Sequence, residues 1–245
     1  MTPLNKPCPL SPAAWLRFDL IRAATARYPG AESIVEIGCG QGALAPWLAR
    51  RYEYQGYEPD SQSYEIAARR LALAGSGSVA NTVIPDRPTK LADIVCAFEV
   101  LEHLEDDAAA LRAWSDWISP GGLLIVSVPA HPHRFGPADR AVGHWRRYSR
   151  EELTRLMTEV GLADVEVRAY GFPLGILLES VRNRLAARQA QLSRQDSTSR
   201  SGRFLQLPQW ASVLSAIAVA PFRLIQIPFS RTTFGTGWVA SGLKP

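Results

Sequence analysis

Cysteine is scarce in this chain of 245 residues. Cys8, Cys39 and Cys96 are odd in number and scattered, and the last two sit inside apolar runs. That argues against a disulfide framework or a cysteine-rich zinc module and makes a reducing cytoplasm the expectation. Met1–Pro7 also lacks the apolar core of a signal peptide. Lysine is rarer still relative to its role, with three of the 27 basic residues (Lys6, Lys90, Lys244). No uninterrupted apolar run suggests a membrane span. Phe204–Phe222 is free of charge, but Pro208, Pro221, Gln206 and Gln209 break it. Internal repeats are missing too.

Charge is present but uneven. Residues 1–145 carry 13 Lys+Arg against 16 Asp+Glu, and residues 146–245 carry 14 against 7. The basic second part would suit an anionic acceptor or a phospholipid surface, or simply form a solvated face.

Strands and helices alternate along the first two thirds. Ser11-Pro12 is a helix start, and Ala13–Arg27 reads as an amphipathic leading helix. Ser33–Val35 is a buried strand, followed by a turn and a helix over Ala43–Arg51. Tyr54–Tyr57 is a second strand, Ser61–Ala74 a helix, Val79–Ile84 a third strand and Ala92–Phe98 a fourth. Asp106–Ile118 is predicted helical, and Pro120-Gly121-Gly122 turns the chain into a strand at Leu123–Val128. Ser149–Val160 carries a capping box, Ala163–Tyr170 is a sixth strand and Gly237–Leu243 a seventh. The expected fold is α/β, a Rossmann-like, seven-stranded, mostly parallel sheet with helices on both faces and a helical insertion before the last strand. One domain over 1–245 is expected. Its parts are a leading helix at 1–30, a core at 30–170, an insertion at 171–233 with a flexible loop at 189–203, and the last strand at 234–245.

The turn after the first strand reads Glu36-Ile37-Gly38-Cys39-Gly40-Gln41-Gly42. Alternate glycines between strand and helix let backbone N–H groups approach a ligand closely. Gly38-x-Gly40-x-x-Ala43, with Glu58 at the end of strand two, also satisfies a dinucleotide fingerprint. Three features favour a different nucleotide. Glu36 would repel a pyrophosphate but attract an amino group or a sulfonium. Glu99–Leu104 follows strand four, and Pro120-Gly121-Gly122-Leu123 precedes strand five.

With these motifs, residues 30–170 resemble the class I S-adenosylmethionine-dependent methyltransferases, above all the ubiquinone-biosynthesis-type and natural-product enzymes. The resemblance implies S-adenosylmethionine as cofactor. It implies that Glu36, Gly38, Cys39, Gly40 and Gly42 hold its methionine part, that Glu58 binds the ribose hydroxyls, and that Pro59 lies beside the adenine. Glu99 would line the pocket near the methionine moiety. Many relatives carry an Asp after strand three for the adenine amino group; here Asn81 or Thr82 stands in that region.

Methyl transfer from a sulfonium is an in-line displacement in which the protein aligns the acceptor and excludes water. A hydroxyl acceptor also needs a base, and Pro129–Tyr148 supplies His131, His133 and His144 with Asp139 to orient one of them. The Asp139…Gly143-His144-x-Arg146-Arg147-Tyr148 spacing resembles a signature of some family members that lies over the open end of the cofactor pocket. His144, then His131, are the expected catalytic residues, and Asp139, Arg147 and Tyr148 the expected substrate contacts. A second reading makes the same segment a braced loop. The spacing of His131, His133, Asp139 and His144 matches no standard centre, so no metal is expected.

A small-molecule acceptor is expected, such as a natural-product intermediate, a sugar or a quinone-like lipid. Nucleic acid is not, because aromatic–basic recognition motifs are missing. The apolar stretch at 204–229 is either a lid over a hydrophobic acceptor or a peripheral membrane contact beside Arg200, Arg203 and Arg223, which would make a cytoplasmic protein membrane-associated. A dinucleotide-dependent oxidoreductase and a non-catalytic cofactor-binding protein are the alternatives.

Overall fold

In the computed structural model, residues 10–86, 88, 90–193 and 211–245 are described. Cys8, most of the expected flexible loop at 189–203, Arg200, Arg203 and residues 204–210 lie outside them. Seven strands form one sheet: β1 (Ser33–Ile37), β2 (Glu53–Tyr57), β3 (Ser78–Ala80), β4 (Ala92–Phe98), β5 (Ile118–Pro129), β6 (Ala163–Tyr170) and β7 (Gly237–Leu243). Their order is β3-β2-β1-β4-β5-β7-β6. The first five pair in parallel, and β7 runs antiparallel between β5 and β6.

The helices are α1 (Pro12–Ala26), α2 (Ala45–Leu48), α3 (Ser61–Ala74), α4 (Asp107–Ser115), α5 (Pro137–Val142), α6 (Arg150–Glu159), α7 (Leu174–Ser193) and α8 (Ala211–Ile225). Capping chemistry sets several starts. Ser11 accepts from Ala14 N at 3.2 Å, Asp60 from Ser63 N at 2.9 Å, and Ser149 from Glu152 N at 3.0 Å. Gly75 ends α3 at φ 72°, a left-handed turn that glycine adopts without strain.

Strand alternation feeds two cores. Ile34, Ile94 and Cys96 meet Leu16, Phe18 and Ile21 of α1 on one face. Val35, Val95 and Ala97 meet Leu111, Trp114, Leu153 and Met157 on the other. Burying each such Leu or Ile stabilises the fold by about 1.5–3 kcal/mol, so α1 is fastened to the sheet and fixes what its polar residues touch. Glu36 falls on the α1 face because it follows Ile34 by two residues.

Four elements differ from expectation. α2 is shorter than Ala43–Arg51, with Pro46 confined to its first turn. β3 stops at Ala80, a short edge. α4 ends at Ser115, because Ile118 pairs with Ala92 as the first residue of β5. On α7, Leu177, Leu178, Val181 and Leu185, whose sequence spacing marks one apolar helical face, are exposed. Glu179 and Ala186 are buried instead, Glu179 drawn in by ion pairs described below. Among the described residues, no helix is long and apolar enough to cross a membrane.

Candidate cofactor and acceptor site

Strand order reverses direction between β1 and β4, and the crevice beyond their C-terminal ends is where open α/β sheets take ligands. The glycine turn lies there. Gly38, Gly40 and Gly42 all have positive φ (63°, 55° and 69°). A Cβ on Gly38 would lie 2.6 Å from a methyl of Val100, whereas one on Gly40 would meet nothing within 4 Å. The backbone at Gly40 is therefore open to a ligand. Between them, Cys39 is buried, and burial pushes its thiol up, so it stays protonated.

Glu58 organises the turn from β2. Its Oε2 accepts from Gly40 N and its Oε1 from Asp60 N, each at 2.8 Å. Asn81 donates to the carbonyls of Glu58 (3.0 Å) and Pro59 (3.2 Å) and accepts from Ser61 Oγ at 3.0 Å. It thus ties the ends of β2 and β3 together, with Pro59 exposed beside it.

Glu36 is 4% exposed and accepts from the Tyr54 hydroxyl at 2.7 Å. Burial raises its pKa to about 7, and the Glu58 carboxylate adds to the rise; Tyr54 and Arg17 oppose it. Glu99 behaves oppositely. Burial would raise it, but Arg17, Ser127 and Tyr170 outweigh that and hold it below the usual carboxylate range. Arg17 lies 2.9 Å away, and Ser127 Oγ and the Tyr170 hydroxyl donate at 2.9 and 3.1 Å. Glu99 itself sits at φ 58°, a strained conformation for a side chain of its kind and one common at functional sites.

S-adenosylmethionine combines a sulfonium, an ammonium, a carboxylate and ribose hydroxyls, and the residues present suit it. Glu36 is a buried carboxylate pushed toward its neutral form until a cation arrives. Arg17 Nε is buried with no hydrogen-bond partner among the described residues, a donor available to a carboxylate. Glu58 stands at the end of β2, where ribose hydroxyls would meet it. A dinucleotide pyrophosphate would face Glu36 instead.

The acceptor-side loop is more internally committed than the sequence suggested. Asp139 is fully buried, accepts from Gly136 N at 2.8 Å, and pairs with Arg147 Nη2 at 2.7 Å. Arg147, 2% exposed, also pairs with Glu179 of α7, which in turn binds Arg134. Burial would raise Asp139, but His144, Arg147 and the Gly136 amide drive it well below the usual range. Tyr148 is fully buried and donates to Asp107 at 2.9 Å. Burial and the Asp107 charge push its phenol up, so it stays protonated. Asp139, Arg147 and Tyr148, expected as substrate contacts, spend their polar groups on these internal partners and act as bracing for the loop.

What they brace is His144. Its Nδ1 is 3.0 Å from Asp139 Oδ1, which leaves Nε2 turned toward Glu102, 3.8 Å away. Its ring meets His103 edge-on, with centroids 4.7 Å apart. His131 has other company: His133 at 5.5 Å and Trp238 at 5.3 Å between centroids. Burial lowers its pKa, and Arg134 and His133 add to that. The two histidines thus do not form a pair.

Sequence reasoning missed Arg17, Tyr54, Tyr170 and Glu179. The one available signal was Arg17 itself, a lone arginine between the core residues Leu16 and Phe18 of an amphipathic helix. Tyr54, Tyr170 and Glu179 read as ordinary strand and helix residues until the fold brings them to Glu36, Glu99 and Arg147.

The sequence profile of a methyltransferase domain matches residues 14–167. Among curated proteins, a probable S-adenosylmethionine-dependent methyltransferase of Mycobacterium tuberculosis is 29% identical over 142 residues, covering 55% of this chain and 50% of that protein. The ubiquinone biosynthesis O-methyltransferase of Methylocella silvestris is 31% identical over 147 residues, covering 53% and 57%. The chain thus spans about half the length of these relatives. Among solved structures, the N-methyltransferase NodS of Bradyrhizobium japonicum aligns with a TM-score of 0.54 at 17% identity, covering 93% of each chain. Phosphoethanolamine N-methyltransferase 2 of Haemonchus contortus, in complex with S-adenosylmethionine, aligns at 0.55 and 13% identity, covering 93% of this chain and 53% of that one. At such identities the two structures share the fold. The profile match, the sheet order and the carboxylate-lined glycine turn agree, and the chain belongs to the class I S-adenosylmethionine-dependent methyltransferases.

Proposed function

We propose that the protein transfers the methyl group of S-adenosylmethionine to an oxygen or nitrogen of a small-molecule acceptor that enters beside His144. The observation that carries this reading is the Asp139–His144 pair. A buried, fixed carboxylate orients an imidazole whose remaining nitrogen lies 3.8 Å from Glu102 Oε1, on the segment that follows β4 and Glu99. Such an arrangement serves a hydroxyl or ammonium acceptor, which must lose a proton, and His144 is the group assigned to activating it. The cofactor supplies an already activated methyl group. Arg17 and Glu36 hold its amino-acid part, Glu58 its ribose, and Glu99, clamped by Arg17, Ser127 and Tyr170, lines the wall next to the methionine moiety.

The test uses His144→Ala and wild type with labelled S-adenosylmethionine against panels of hydroxyl and amine acceptors. Loss of transfer by about 100-fold or more with unchanged cofactor affinity supports the assignment. Full turnover by the variant removes it.

A second reading of the acceptor has its own observation. Leu177, Val181 and Leu185 on α7 and Ile217, Leu224 and Ile227 on or after α8 are exposed, with Arg182, Arg184 and Arg188 on the same α7 helix. An exposed apolar face with arginines beside it suits a membrane-borne, lipid-linked acceptor. Co-sedimentation with anionic vesicles at low salt supports that version, and no binding there sinks it.

A further inference from the structure

We propose that Glu102, His103 and His144 form a binding site for a divalent transition-metal cation at the mouth of the acceptor side. The inference rests on the reading that the acceptor enters beside His144, and it states how that residue would act. One ligand atom from each of the three lies within 4.8 Å of the others. Ligands about 2.1 Å from a shared ion stand roughly 3–4 Å apart, so small side-chain rotations close the cluster.

Glu102 makes the case beyond proximity. It is fully buried, and neither carboxylate oxygen has a hydrogen-bond partner among the described residues. His144 Nε2, 3.8 Å from Oε1, is beyond hydrogen-bond distance. A buried carboxylate with both oxygens free is costly and rare unless something else binds it. The elements around it are firmly set. Glu102 and His103 lie on a 3₁₀ turn, 101–103, just after β4, and Trp145 N bonds the Glu102 carbonyl at 2.8 Å, locking the His144 segment against that turn.

The second layer also has the form of a metal site. Asp139 holds His144 Nδ1 at 3.0 Å and is itself fixed by Arg147 and Gly136 N. A carboxylate behind an imidazole fixes its tautomer and turns the free nitrogen toward an ion. Two imidazoles and one carboxylate favour Mn²⁺, Fe²⁺, Co²⁺ or Zn²⁺ over Ca²⁺. Three protein ligands leave coordination positions open.

An acceptor hydroxyl in one open position would be acidified, its proton leaving to water. Its oxygen then bonds to the methyl carbon as the sulfur–methyl bond breaks, and sulfur keeps that electron pair. The products are the methylated acceptor, S-adenosylhomocysteine and one proton. The sequence spacing conceals this site, since Glu102-His103 and His144 sit in separate motifs and His131 and His133 are not part of it.

The test titrates the full chain, stripped with chelator, with Mn²⁺ read by electron paramagnetic resonance and with Co²⁺ read by visible absorption, without cofactor or acceptor. One cation per chain, with affinity at least tenfold weaker in both Glu102→Gln and His103→Ala, is the expected result. His103 is exposed, so His103→Ala keeps the test informative if Glu102→Gln unfolds; S-adenosylmethionine binding reports folding of each. No binding of either cation below millimolar concentration, or equal affinity in wild type and both variants, overturns the proposal. Methyl transfer that persists in chelator yet is lost in His144→Ala overturns it as well, while the methyltransferase reading stands. Specific cation binding with no transfer to any acceptor supports the site and counts against the acceptor reading.

Discussion

Replacing Glu36 with glutamine separates what this carboxylate costs the empty protein from what it gives the bound one. In the folded chain its pKa is raised from 4.5 to about 7, chiefly by burial. The folded state therefore holds this proton more tightly than the unfolded state. The associated stability is complete below pH 4.5, declines as pH rises to about 7, and is gone above it. The shift corresponds to about 3 kcal/mol, to order of magnitude. Glutamine is neutral at every pH and still offers an oxygen to the Tyr54 hydroxyl, which now donates to Glu36 at 2.7 Å. Without cofactor, Glu36→Gln is expected to gain stability relative to wild type by up to about 3 kcal/mol at pH 8 and little at pH 4.5. Urea denaturation of both proteins at several pH values reads the difference, in which all other titrating groups cancel. The same variant should bind S-adenosylmethionine about 10- to 100-fold more weakly at pH 8, the worth of a charge-assisted hydrogen bond. A stability difference that is flat from pH 4.5 to 8 would refute this account of Glu36.

Other expectations follow from the same geometry. Arg17→Leu should weaken S-adenosylmethionine binding about tenfold or more, measured by calorimetry, since it removes the Nε donor and the Glu99 clamp. Glu179→Ala leaves Arg147 buried without one of its two carboxylates and should cost about 3–5 kcal/mol in chemical denaturation. Gly38→Ala places a Cβ 2.6 Å from Val100 at φ 63° and should lower Tm by several degrees, with Val100→Ala relieving only the steric part.

Much of the sheet is legible in the sequence because its signals are local. Ala92–Phe98, Ala163–Tyr170 and Gly237–Leu243 are continuous apolar or alternating runs, and the strands occupy those residues. The capping hydroxyls at Ser11 and Ser149 mark helix starts where the structure has them. Boundaries set by tertiary pairing are not legible: Ile118 continues a helical pattern yet opens β5 because Ala92 lies beside it. The orientation of α7 is hidden for a similar reason. Its leucines suggest the buried face, but two arginines from a distant loop pull Glu179 inward and turn the leucines out. In the site, Glu36, Glu58 and Glu99 could be found from their places at strand ends. The partners that set the charge states of Glu36 and Glu99 come from α1, β2, β5 and β6, and only the fold brings those together.

Carboxylates around the glycine turn suit a cationic, ribose-bearing cofactor and disfavour a dinucleotide. Isothermal titration calorimetry of the full chain with S-adenosylmethionine and, separately, with NAD reads this selectivity. Saturable binding of S-adenosylmethionine with no detectable heat from NAD is the predicted result. Saturable binding of NAD with none of S-adenosylmethionine would contradict the account.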